Sequence, residues 1–497
     1  MNKKILLYLL ALAALAIYLG LVGFNRWGDD RRPQITLTKP FSMVGPATPL
    51  AIHIEDNQTG IQNVSIRIVQ NLATYHLADQ QFPSHGALSI DGGMEHTFDF
   101  NMFPFGDDSI PKRHGPATLV ISARDYSWSG FFEGNWAKLE QEFSVKFDPP
   151  TIEVLSLPLP ITLGGAGVVF YRVSSDATRY GVQIGEAFFP GYPSPDEPYN
   201  SFSLIAFSHN LPIRTPVQLV ADDGLGNQGI QTINVSIKRK KWRTRKINIS
   251  DRFIERTIMP IISQTTELTD AHDPLRNFLQ VNNSLRKKNA EQLKALAATS
   301  HAGFLWKGGF LQLSNSQVQA AFADHRKYTY RGKVIDTQDH LGFDLAVTKQ
   351  YPVEAANDGL VVLSEYFGIY GNTIVIDHGY GLQSLYGHLS SLEAKKGDKV
   401  LKGQMIGRSG MTGLAAGDHL HFSLLLHGVQ INPIEWWDPK WVLTRISDRL
   451  RKHDPIDPAT ALSQTAIPVR PLDPADPFGT RRSVSPRPQF PPPPPGL

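Results

Sequence analysis

Residues 417–423 read "GDHLHFS", which sets His419 and His421 one residue apart beside Asp418, with apolar Leu420 between them and Phe422 after. Successive side chains of a β-strand point to opposite faces, so His419 and His421 share one face while Leu420 and Phe422 pack on the other. The stretch predicts a strand that presents two imidazoles together. Around it, strand-forming runs such as "GLVVLSEY", "NTIVIDHG" and "LQSLYGHLS" alternate with glycine-bearing turns, so residues 301–445 read as an all-β domain.

Upstream, residues 33–150 hold short alternating runs ("AIHIED", "VSIRIV", "ATLVISARD", "QEFSVKF") separated by Gly, Pro, Asn and Asp turns, the signature of a β-sandwich. A second set ("TIEVLSL", "GVVFYRV", "YGVQIG", "SFSLIAF", "TINVSIK") fills residues 151–240. The closing parts rhyme, because "LVISARDYSWSG" and "LVADDGLGNQG" each run from a strand into an Asp-bearing turn. Two tandem immunoglobulin-like modules are the simplest account. The basic run "KRKKWRTRK", Lys238 to Lys246, reads as a solvated linker in preference to a contact with headgroups or wall polymer. Helical spacing in "PLRNFLQVNNSLRKKNAEQLKALAA" makes residues 241–300 a basic and helical connector. From 446 to 497 the chain turns proline-rich, ends in "PPPPPGL", and cannot build a core.

At the N-terminus, Lys3 and Lys4 precede an unbroken apolar stretch from Ile5 to Phe24, long enough to cross a bilayer as a helix. It continues past Ala14 and Ala16, so an uncleaved anchor over residues 1–32 is expected in preference to a signal peptide. The flanking lysines keep its start cytoplasmic. This implies a single pass of a membrane, with the bulk of the chain extracytoplasmic.

The formal net charge of +3 over 497 residues gives no global pull toward nucleic acid. With no cysteine, the chain has no disulfide, thiolate metal site or cysteine nucleophile, so histidine and carboxylate must carry any metal chemistry. "GGAG", Gly164 to Gly167, lacks the Lys-Ser/Thr of a phosphate loop and reads as a turn.

Three histidine groups stand out in the last β domain: "HLGFD" with His340 and Asp344, "LYGHLS" with His388, and "DHLHF" with His419 and His421. Four imidazoles and a carboxylate suit zinc, which takes nitrogen and oxygen donors and in catalytic sites keeps three protein ligands. Two imidazoles then remain for proton transfer. His325, His378 and His427 read as surface or structural; Arg326 and Tyr330 fit either a cleft lining or packing.

In order along the chain, "HLGFDLA", "PVEAANDGLVVLSEYFGIYGNTIVIDHGYGLQSLYGHLS" and "GDKVLKGQMIGRSGMTGLAAGDHLHFSLLLHGVQINP" resemble the LytM or lysostaphin type zinc metallopeptidases of family M23. The resemblance implies Zn2+ held by His340, Asp344 and His421, with His388 and His419 as catalytic histidines. His419 would then act as base on the attacking water while His388 donates to the developing oxyanion. Many family members carry a glutamate where this chain has Ser423, which is expected to tune the site without silencing it.

The expected protein is thus mainly β and multidomain: an N-terminal transmembrane helix, two immunoglobulin-like β-sandwiches, a helical connector and an all-β LytM-type catalytic domain. It is expected to be a zinc metalloendopeptidase that hydrolyses peptide cross-links of bacterial peptidoglycan. Its partners are peptidoglycan, the membrane through its N-terminal helix, and a regulatory protein, with no nucleic acid. One alternative is a regulatory or scaffold LytM-type protein, its site occluded by the helical connector or by "GGFLQLSNSQ" with Asn315, that controls other wall hydrolases. Another is a wall-binding adhesin whose sandwiches are the active part.

Overall fold

The structure, a computed structural model, describes residues 3–107, 109–194 and 200–451. Most of the expected proline-rich tail, 452–497, lies outside the described residues. The chain forms two compact units, one of Met1–Pro150 with Asp176–Thr178 and Asp222–Gly229, the other holding the rest.

The first unit opens with the helix Lys3–Trp27, whose 25 residues and mean hydropathy of 2.7 meet the length and composition of a membrane span. Two sheets follow. Gln34–Leu37 and Thr97–Met102 flank Leu50–Glu55 in one. In the other, Trp136–Val145, Gly115–Asp125, Ile61–Gln70 and Ala73–Gln81 run antiparallel in that order, with Met43–Val44 at the edge. Strict alternation of buried and half-exposed residues along Leu50–Glu55 gives each strand one apolar face. Ile52, Ile54, Ile66, Leu119 and Ile121 from those faces form the core.

In the second unit, Asn200–Ala206 and Ala166–Val173 centre one four-stranded sheet, while Arg179–Ile184 and Val217–Asp222 centre another. The last β domain is built on an eight-stranded sheet, in which Leu420–Leu426 lies between Phe343–Ala346 and Leu382–Leu389. The sandwich and this sheet share one continuous core. Tyr380 packs on Tyr192 at 4.5 Å, on Phe202 at 5.1 Å and on Phe304 at 4.5 Å between ring centroids.

Two expectations need correction. The segment read as a solvated linker and helical connector contains a strand, Thr244–Ile249, paired in parallel with Asp324–Tyr330. Two of its arginines are engaged: Arg243 donates to Asp324 through Nε at 3.1 Å and Nη2 at 2.7 Å, and Arg245 lies 3.4 Å from the same carboxylate. Pairing across more than seventy residues leaves no local signal, which is why a charge run reads as linker. The helical part that follows, Pro274–Leu279 through Arg286–Ala297, buries Phe278, Val281, Leu285 and Leu293 against the sheet residues Leu363, Val375, Leu385 and Leu425. At the other end the core extends past the expected limit at 445, because Ile446 and Leu450 are fully buried in it.

The buried Asp324 carboxylate pins the added strand through charged hydrogen bonds, each typically contributing about 1.5–3 kcal/mol. Asp324→Ala is expected to lower unfolding stability by roughly that amount per bond lost, read as a lower urea midpoint. An unchanged midpoint would show that backbone pairing alone holds the strand.

Candidate metal centre

The strand Leu420–Leu426 lies at the middle of the site because both its neighbours carry site residues. Asp344 pairs directly with His421 on one side, and Gly387 pairs with His421 on the other. His340 ends the strand Lys333–His340, and the chain turns sharply through Gly342 to reach Asp344. A Cβ on Gly342 would fall 2.6 Å from His421 Nε2 and from Ser423 Oγ, so the turn admits no side chain. His388 sits at a bulge, where the register shifts between the pairs Asn372–Leu389 and Ile374–Tyr386, and its φ of +62° is left-handed. Bulges re-aim side chains, and this one turns an imidazole toward His419, 4.8 Å away between ring centroids.

Three atoms form the centre. His340 Nε2 lies 2.9 Å from Asp344 Oδ1 and 3.1 Å from His421 Nδ1, and His421 Nδ1 lies 3.0 Å from Asp344 Oδ1. His419 Nε2 stands 3.5 Å from the same oxygen. The far nitrogen of every ring is engaged elsewhere. His340 Nδ1 donates to Ala321 O at 3.1 Å, His388 Nδ1 to Thr412 O at 2.8 Å and His419 Nδ1 to Gly417 O at 2.8 Å. Ser423 Oγ donates to Leu341 O at 2.8 Å, so it accepts from His421 Nε2 at 3.0 Å. A carbonyl can only accept, and these bonds therefore fix the tautomers. In the neutral rings His340 Nε2 and His421 Nδ1 are left as bare lone pairs facing a carboxylate oxygen. Such a donor set fits a divalent metal of borderline softness, zinc above all.

Electrostatics agree with that donor set. Burial, then the Arg326 charge, lowers the His340 pKa to about 4, and burial likewise lowers His421. Burial alone would raise Asp344, but the polar groups packed around it, His340 first and then His419 and His421, hold it well below the usual carboxylate range. Burial also opposes the imidazolium of His419, yet the adjacent Asp344 raises its pKa overall. His388 is pushed well below the ordinary value, by burial first and then by His419 and His421.

All five residues expected in the site line one cavity of about 730 Å³. His388 Nδ1–H is spent on Thr412 O, so in the neutral ring Nε2 is an acceptor. Arg326, for which the sequence left two readings open, donates to Asp344 Oδ2 at 2.8 Å and lines the cavity. Tyr330 instead bonds Asp251 at 2.5 Å and lies off the cavity wall. His378 is buried on Asp358 O and Ser384, His427 packs on Phe189 and Tyr192, and His325 bonds Asp339, all apart from the centre. Asn315 reaches the Tyr351 hydroxyl, not the cavity. Sequence reasoning missed Phe253, Phe278 and Arg286 from the helical segment and Arg245 and Lys246 from the added strand, which together wall one side. The basic run was the only available signal for them.

The sheet thus buries a His-His-Asp set whose ligand atoms lie close enough together to hold a metal ion, with two further imidazoles beside it. Residues 338–433 match the family model described as Peptidase family M23, and this segment of the chain is an M23 peptidase domain. Over 96 residues the chain is 42% identical to peptidoglycan DD-endopeptidase ShyA of Vibrio cholerae, covering 19% of this chain and 22% of that protein. It is 38% identical over 95 residues to DD-carboxypeptidase/endopeptidase Mpg of Neisseria meningitidis, with the same coverage of 19% and 22%. A crystal structure of a putative peptidase M23 from Pseudomonas aeruginosa aligns with 57% of this chain and 96% of that one, at 19% identity and a TM-score of 0.35. The matched segment spans about a fifth of the length of these curated relatives.

Ser423→Ala removes the acceptor that orients His421. Loss of such a partner typically lowers metal affinity about 10–100-fold, so competition against a chromophoric chelator should show zinc bound that much more weakly. Unchanged affinity would mean that strand packing alone orients the ring.

Proposed function

We propose that the chain is a membrane-anchored, extracytoplasmic zinc endopeptidase that hydrolyses peptide cross-links of bacterial peptidoglycan. One observation carries this reading: His340 Nε2, His421 Nδ1 and Asp344 Oδ1 converge within 3.1 Å while the remaining ring nitrogens are tied off. In this reading His340, Asp344 and His421 are the metal ligands and His388 and His419 the catalytic histidines. Zinc held there supplies a Lewis acid for the scissile carbonyl and lowers the pKa of water to about 7.

The residues around it do the rest. Arg326 occupies Asp344 Oδ2 and so leaves Oδ1 as the single donor turned to the metal. His419, held by Gly417 O, takes the proton of the attacking water at Nε2, and nearby Asp344 stabilises the imidazolium that forms. Neutral His388 accepts a hydrogen bond at Nε2 from the second O–H of that water and orients it; the proton it takes from that O–H lets it donate in turn to the oxyanion or the leaving amine. The names of the relatives, DD-endopeptidase among them, support the direct D-alanyl to diaminopimelate cross-link over a pentaglycine bridge. The apolar helix Lys3–Trp27 supports anchorage in the inner membrane.

Full-length protein in detergent tests the reading. His421→Ala should lose zinc by metal analysis. His419→Ala should keep it and release soluble muropeptides from diaminopimelate-type sacculi about 10²–10⁴-fold more slowly. Full zinc occupancy in His421→Ala would sink the ligand assignment. Release from pentaglycine-bridged sacculi alone would refute the substrate, and release from neither wall would favour the regulatory reading.

A further inference from the structure

The two sandwiches carry the same polar device at one end, and comparing them exposes a difference in charge. In the second, Asp223 accepts from the backbone of Asn227 at 3.2 Å and from its Nδ2 at 2.9 Å, and that Nδ2 also donates to the carbonyl of Lys146 at 3.0 Å. The Lys146 ammonium then bridges Asp223 Oδ2 at 2.6 Å and Asp176 Oδ2 at 2.7 Å. In the first sandwich Asp125 accepts from the backbone of Asn135 at 2.7 Å and from its Nδ2 at 2.8 Å, and that Nδ2 also donates to the carbonyl of Asp29 at 3.0 Å. The same hydrogen bonds therefore make Asp29 the counterpart of Lys146. Asp56, in the turn after Leu50–Glu55, matches Asp176, in the turn after Ala166–Val173.

Where the second sandwich sets two carboxylates around an ammonium, the first sets three carboxylates together. Asp29, Asp56 and Asp125 are 1%, 3% and 0% exposed, with one carboxylate oxygen of each within 4.8 Å of the others. Among the described residues no lysine, arginine or histidine lies within ion-pair distance of them. Arg26, in the adjacent helix, spends its guanidinium on the carbonyls of Tyr126 and Ala87. A second observation points into the cluster. Ser127, only 3% exposed, sets its Oγ close enough to the Asp125 carboxylate to lower its pKa, yet that Oγ has no hydrogen-bond partner.

We propose that Asp29, Asp56 and Asp125 hold a hard divalent cation, calcium, in the seat that the Lys146 ammonium fills in the second sandwich. The donors are all oxygen, which suits calcium and excludes the softer metals that prefer nitrogen or sulfur. Burying three carboxylates is costly: the Arg26 charge acts on Asp125 and the Arg31 charge on Asp29 without ion-pair contact, and burial still raises the pKa of Asp29 and Asp125. A bound dication removes that cost. Asp29 follows the helix Lys3–Trp27 by two residues, so the ion fastens the first residues after the apolar helix to the sandwich.

Full-length, zinc-loaded protein in detergent micelles tests this by equilibrium dialysis with radioactive calcium and by thermal unfolding in millimolar calcium chloride. Wild type should bind calcium with an affinity on the order of 10⁻⁴–10⁻³ M, as extracellular modules do, and its unfolding temperature should rise by several degrees. Asp29→Lys supplies an ammonium in the manner of Lys146, so it should bind no calcium at this seat and unfold near the calcium-loaded wild-type temperature without the ion. Asp29→Asn, which keeps the shape and removes one charge, should bind about tenfold more weakly. No calcium binding by wild type would overturn the proposal. So would equal binding by Asp29→Lys or, if that variant does not fold, by Asp29→Asn.

Discussion

The Asp344 carboxylate is the point on which the site is hung. Its Oδ2 is taken by the buried Arg326 guanidinium at 2.8 Å, and its Oδ1 faces His340, His421 and His419. An ionised carboxylate buried this deeply survives only with partners, and here the partners are Arg326 and the three imidazoles. Arg326 itself lies in the strand Asp324–Tyr330, whose outer neighbour is the added strand Thr244–Ile249. A segment nearly a hundred residues before Asp344 in the chain thus helps to fix the orientation of Asp344.

That dependence explains which parts of the molecule were legible beforehand. The alternation around His419 and His421 fixes their shared face, because period-two patterning is local and the apolar residues between them, Leu420 and Phe422, are buried as it requires. His340, Asp344 and His388 could be associated with them only through the ordered resemblance to family M23, since spacing alone does not bring distant strands together. The role of Arg326 was not legible at all. It depends on the pairing of Asp324 with His340, a register that no single-sequence pattern specifies. Nor was the His388 tautomer, which is set by the carbonyl of Thr412 twenty-four residues away.

The same reasoning applies to the segment between the second sandwich and the peptidase domain. Charge density and helical spacing describe it accurately residue by residue, yet they say nothing of what it touches. Its strand adds to a sheet, its helices bury Phe278 and Leu285 against Tyr328, Leu385 and Leu425, and Phe253, Phe278 and Arg286 face the cavity. The segment is a wall of the site and part of the domain's core. The second sandwich is likewise joined to the eight-stranded sheet through Tyr192, Phe202, Phe304 and Tyr380, so within this unit it packs as part of one core and not as a loose spacer.

Buried charge is neutralised by different means in different parts of this chain, and the differences follow the work each place does. At the end of the second sandwich an ammonium from the chain itself, Lys146, closes the seat permanently, which suits a purely structural junction. At Asp344 one oxygen is neutralised permanently by Arg326, whereas the other faces neutral imidazoles that offer lone pairs and no charge. Half of that carboxylate is thereby committed to architecture, and the other half would be available to the proposed metal. Were Arg326 absent, Asp344 would be free to rotate and to offer both oxygens, and the single-donor arrangement of the proposed site would be harder to maintain. In that proposal the arginine would contribute by what it keeps Asp344 from doing.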